Sequence, residues 1–106
     1  MRIITINEEE VLHDNRAASK IIMNAIQHAK NTIQVTGCCK HNNNIVVILE
    51  AKTHEDNCTY LFAPISAQSD ADLITSLRSR YDSGFTTITK FDIAGLSWAL
   101  FSQPIQ

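Results

Sequence analysis

The stretch from Ile33 to Leu49 reads IQVTGCCKHNNNIVVIL, and its reading decides the fold. Ile33-Gln34-Val35-Thr36 alternates apolar and polar, the period of a strand with one face in a core and the other in water. Asn42-Asn43-Asn44 marks a tight turn, because asparagine tolerates the left-handed backbone that hairpin loops require. Ile45-Val46-Val47-Ile48-Leu49 follows as five apolar residues in a row. Together they predict a hairpin, roughly 33–40 against 45–52.

Towards the N-terminus, the spacing predicts a helix over 17–29. Ala17, Ile21, Ala25 and Ala29 repeat every four residues, with Ala18, Ile22 and Ile26 beside them, so one stripe is apolar at helical period. Lys20, Asn24, Gln27 and Lys30 face away. His13-Asp14-Asn15 is either a polar patch within a longer helix or a break. Asn7 reads as an N-cap, with Glu10 three residues on to complete a capping-box pair and three glutamates suited to the helix dipole. Before it, Ile3-Ile4-Thr5-Ile6 predicts a strand over 2–6.

The same order returns in the C-terminal half. Lys52 to Asn57 is a polar loop, and Tyr60 to Ile65 is a strand whose Pro64 suits an edge or an exit, since proline donates no ladder bond. Ser69-Asp70-Ala71-Asp72 is a second capping box. Leu73, Ile74, Leu77 and Tyr81 form a helical stripe that ends at Gly84, where a C-terminal cap belongs. Thr86 to Phe91 and Leu96 to Phe101 are strands around an Ala94-Gly95 turn. The expectation is one α+β domain over 1–106, made of two βαββ-like halves at about 2–52 and 60–102. Their strands would form a mostly antiparallel sheet with two helices packed on one face.

Composition narrows the function classes. Hydrophobic residues make up 44% and charged residues 19% of 106, a globular balance. The net charge of −2 and the lack of any basic cluster beyond Arg78-Ser79-Arg80 argue against nucleic acid as a partner. No apolar run approaches the ~20 residues that span a bilayer, and the N-terminus lacks a signal-peptide pattern, so no membrane partner is expected. Three cysteines, an odd number with two adjacent, suit a reducing cytoplasm.

The polar set Cys38, Cys39, His41, His54 and Cys58 has ligand types that zinc or copper accepts. Its spacing matches no standard finger or ribbon, and neighbouring strand residues point to opposite faces. Neither a metal nor a cofactor is therefore expected. Strict alternation from Ile33 and Val35 places Cys39 inside and Cys38 outside. No nucleophile elbow, phosphate-binding glycine loop or dinucleotide fingerprint occurs, and the chain has only three glycines. Catalytic residues are thus not assigned. A small cysteine- or histidine-dependent enzyme stands as the third reading.

Two features point to binding. Arg78 and Arg80 end the second helix, with the hydroxyls of Thr86, Thr87 and Thr89 nearby, a set that can grip a phosphate or carboxylate. His41 and Asn43 at the first hairpin tip supply further donors. Several strands are also apolar on both faces: Val46 and Ile48 oppose Ile45, Val47 and Leu49, while Ala99 and Phe101 oppose Leu96, Trp98 and Leu100. A bare apolar face predicts a homo-oligomer, a dimer first. The expected function is a non-enzymatic homo-oligomer that binds or senses a small anionic ligand at a subunit interface through Arg78, Arg80, Thr87, His41 and Asn43. The alternative is a module whose apolar sheet face docks a foreign protein.

Overall fold

The computed structural model describes residues 1–105. In chain order they form β1 (Arg2–Asn7), α1 (Glu8–His13), α2 (Ala17–His28), β2 (Ile33–His41), β3 (Asn44–Ala51), β4 (Cys58–Pro64), α3 (Asp70–Asp82), β5 (Thr86–Ile93) and β6 (Leu96–Pro104). The protein is α+β, and its two βαββ halves share one topology. The first sheet has the order β1-β3-β2 and the second β4-β6-β5, all antiparallel. The last strand of each half is therefore the centre of its sheet. The strands divide into these two sheets rather than joining in the single sheet the pattern alone suggests.

Local chemistry sets the element ends. Asn7 Oδ1 accepts from Glu9 N at 2.9 Å and starts α1, so the cap reaches Glu9 rather than Glu10. At Asp14 the backbone is extended, with φ −141 and ψ 109, and its carboxylate accepts from Arg16 N, so α1 ends at His13 and residues 14–16 are a break. The second hairpin turns at Ala94 and Gly95, both with positive φ (51 and 80), as a two-residue type I′ loop demands.

A β-bulge corrects one expectation. Val35 faces Leu49 and Gly37 faces Ile48, which leaves Thr36 as an extra residue in β2. Beyond the bulge the alternation is reversed. Cys38 lies opposite Val47 and packs against the core, while Cys39 is exposed.

One core spans both halves. Ile6, Ile22, Ile45, Val47 and Leu49 from the first meet Phe62, Trp98 and Leu100 from the second. Trp98 stacks on Phe62 with centroids 5.2 Å apart. The other face of the second sheet carries Phe101, and α3 covers it. Arg80 lies over the Phe101 ring at 5.4 Å, and Phe85 meets that ring edge-on. The strand β6 is thus apolar on both faces because it is buried within the chain itself, against the first half on one side and α3 on the other. For this strand the two-faced pattern needs no second subunit. On the outer face of the first sheet, Ile3 remains 55% exposed, with Val46 and Ile48 half-buried.

The halves also trade hydrogen bonds across their seam. β2 and β4 are edge strands, so alternate N–H groups point away from their sheets. Val35 N donates to the Tyr60 hydroxyl at 3.1 Å, and Phe62 N donates to Ser19 Oγ at 2.9 Å. Each half thereby caps an open strand edge of the other.

Candidate functional site

The site is built on α3. Ser69 Oγ accepts from Asp72 N at 3.1 Å and caps the helix start, and Ser76 Oγ donates to Ser66 O at 2.8 Å. The helix ends at Ser83, after which Gly84 takes φ +93. The positive φ is what calls for glycine there; an added Cβ would meet only the flexible end of Gln103, 3.0 Å away.

The stripe Leu73, Ile74, Leu77 and Tyr81 does not behave as a core stripe. No residue of α3 is buried. Leu73, Leu77 and Arg80 are half-buried on the sheet side, whereas Ile74 is 56% and Tyr81 74% exposed. Sequence periodicity cannot tell a stripe that faces a sheet from one rotated past it towards solvent. The rotation leaves a groove between α3 and the start of β5, with Ile74, Leu77, Tyr81 and Phe85 as its apolar lining. Arg78, Thr86 and Thr87 complete it.

The predicted anion residues separate into two places. Arg78 and Thr87 share the groove. Among the described residues Arg78 has no ion pair; the pairs present are Lys20–Asp14, Lys40–Glu8 and Lys90–Asp92. Arg80 is turned the other way, its guanidinium 5.8 Å from the Phe85 ring centre and 5.4 Å from that of Phe101. It packs rather than forming a fork with Arg78. His41 and Asn43 belong to the first hairpin tip, where the Asn43 carbonyl accepts from Glu8 N at 2.9 Å. That tip lies towards the Asp92 end of β5. The Ser97 hydroxyl first, then Lys90, hold the Asp92 carboxyl below its usual value, and Lys40 from β2 adds to this. Thr87 and Asp92 are separated by roughly 16 Å of strand, so the tip residues do not join the groove.

The polar set of cysteines and histidines is also divided. His54 and Cys58 line a small recess with Lys52, Asp56 and Tyr60, apart from Cys38, Cys39 and His41 on β2. Lys52 Nζ donates to Asn57 Oδ1 at 2.7 Å and to the Glu55 carbonyl at 3.2 Å, which closes this loop on itself. Burial first, then Asp56, pushes the Cys58 thiol up, with Lys52 opposing. Among the described residues no three His, Cys, Asp or Glu side chains gather as a metal site, and no helix is long and apolar enough to cross a membrane. In comparison with known proteins, no family model matches the chain, and no curated protein or solved structure matches it.

Proposed function

We propose that this chain is a non-enzymatic binding protein whose α3–β5 groove takes a small anion with an apolar body. The observation that carries the reading is an unpaired arginine, Arg78, at the rim of an apolar groove. A guanidinium binds a carboxylate or phosphate through two parallel hydrogen bonds, and Thr86 and Thr87 line the same groove. Ile74, Leu77, Tyr81 and Phe85 suit a short alkyl or aryl group. Both walls come from one chain, so the ligand needs no subunit interface. Burial pushes the Cys38 thiol up to about 12 and holds it protonated at neutral pH, which argues against Cys38 as a nucleophile.

Calorimetric titration with octanoate tests the reading, with inorganic phosphate as an anion that lacks an apolar body. Octanoate is expected to bind more tightly than phosphate, and Arg78→Ala to weaken octanoate by roughly tenfold or more, the worth of a charge-assisted hydrogen bond. No binding of octanoate, octyl phosphate or benzoate would sink it. A second reading, a docking face for a foreign protein, is favoured by the exposure of Ile74 and Tyr81 one above the other on α3. A stoichiometric protein partner lost on Tyr81→Ala but kept on Arg78→Ala would support that reading instead.

A further inference from the structure

β1 is an edge strand: it pairs with β3 and with no other strand. Its hydrogen-bond parity can be read from its end. Glu8 N donates to the Asn43 carbonyl, one step beyond the pair Asn7 and Asn44, so Glu8 is a bonded position of this ladder. In an antiparallel pair bonded positions alternate. Arg2, Ile4 and Ile6 therefore turn their backbone groups to β3, while Ile3 and Thr5 turn theirs outward. No hydrogen bond among the described residues engages those outward groups. The strand has no proline, no lysine and no bulge to protect this open edge, and its one charged side chain, Arg2, stands at its end.

The charges along this edge run from Arg2 at one end to Glu8, Glu9 and Glu10 at the other. Glu8 already faces Lys40 at 3.4 Å, and Glu9 and Glu10 are exposed. A parallel neighbour of the same sequence would set like charges side by side, whereas an antiparallel copy sets the arginine of each chain towards the glutamates of the other.

We infer that β1 pairs with β1 of a second copy about a two-fold axis at Ile4, joining two three-stranded sheets into one of six strands. Ile3 of each chain then exchanges backbone hydrogen bonds with Thr5 of the other, and the outer-face patch of Ile3, Val46 and Ile48 becomes continuous across the axis. This does not depend on the ligand reading, because the α3–β5 groove belongs to the other sheet.

Sedimentation equilibrium on the full chain, with any purification tag at its C-terminal end, is expected to give twice the 11.9 kDa chain mass. Thr5→Pro removes an outward N–H and leaves the ladder to β3 intact, so it is expected to weaken the dimer by roughly tenfold or more with an unchanged far-ultraviolet spectrum. Arg2→Glu is expected to weaken it through like-charge contact. Adding Glu9→Arg and Glu10→Arg to Arg2→Glu is expected to restore the dimer, which a folding defect would not do. A wild-type monomer at every concentration overturns the inference and leaves the edge to a foreign strand. A dimer that both Thr5→Pro and Arg2→Glu leave intact overturns it as well.

Discussion

Replacing Tyr60 by Phe removes one oxygen atom and leaves the shape of the ring. The hydroxyl accepts from Val35 N at 3.1 Å in a buried setting, and Tyr60 is 5% exposed. Without it, the Val35 N–H points away from its own sheet and loses its partner in a buried setting. An unsatisfied buried donor costs about 1–3 kcal/mol, more than the net worth of the bond itself. For a chain of this length each kcal/mol moves the midpoint by roughly 5 °C, so Tyr60→Phe is expected to lower the melting temperature by about 5–15 °C. Ser19→Ala acts on the reciprocal bond to Phe62 N and is expected to cost about 1–2 kcal/mol, because this position is only partly buried and water can substitute. Urea unfolding followed by circular dichroism and by Trp98 fluorescence reads both variants. Since Trp98 sits in the core common to both halves, the two probes are expected to coincide. A Tyr60→Phe variant within about 0.5 kcal/mol of wild type, or separate transitions for the two probes, would refute the reading that the halves seal each other's strand edges.

Alkaline pH is expected to destabilise the protein. The Cys38 thiol is pushed up to about 12 by burial, then by Cys39, and burial also raises Tyr60. Raised acids stay protonated in the folded chain while the unfolded chain loses protons, so stability is full below pH ~9 and falls as pH rises towards ~12. Cys38→Ala is expected to flatten that fall in urea titrations at several pH values. Limited alkylation with iodoacetamide at neutral pH, read by peptide mass spectrometry, is expected to label exposed Cys39 well before Cys38; the opposite order would contradict the bulge at Thr36. Ala94 holds φ +51, which costs a residue with a Cβ, so Ala94→Asn is expected to raise stability by about 0.5–1 kcal/mol in the same unfolding assay. Gly84→Ala is expected to lower it by about 1 kcal/mol, from the strained φ.

The local sequence was enough to set the repeated order of strands, helices and turns. Asn7, Ser69, Gly84 and the Ala94-Gly95 pair act within a few residues of themselves, so their roles are legible wherever the chain goes. The apolar stripe of α2 is likewise a property of one segment, and Ala18, Ile22 and Ile26 are buried as it requires. Tertiary structure decided the rest. A single inserted residue, Thr36, exchanged the inside and outside of Cys38 and Cys39, and nothing in the run of side chains marks where a bulge will fall. Whether Leu73, Ile74, Leu77 and Tyr81 face a sheet or water depends on the rotation of α3 about its own axis, which the packing of Arg80 and Phe85 on Phe101 fixes. That rotation made the groove; the parting of Arg78 from Arg80 needs no rotation, because positions two apart lie on opposite sides of any helix. The two-faced strands were visible in the sequence, but their meaning was not. For β6 the second face is covered by the other half of the same chain, because Trp98 and Leu100 share one core with Ile22, Ile45, Val47 and Leu49. Pairwise meetings of residues distant in the chain carry no local signature, and they are what turned two similar halves into one core with an open edge at β1.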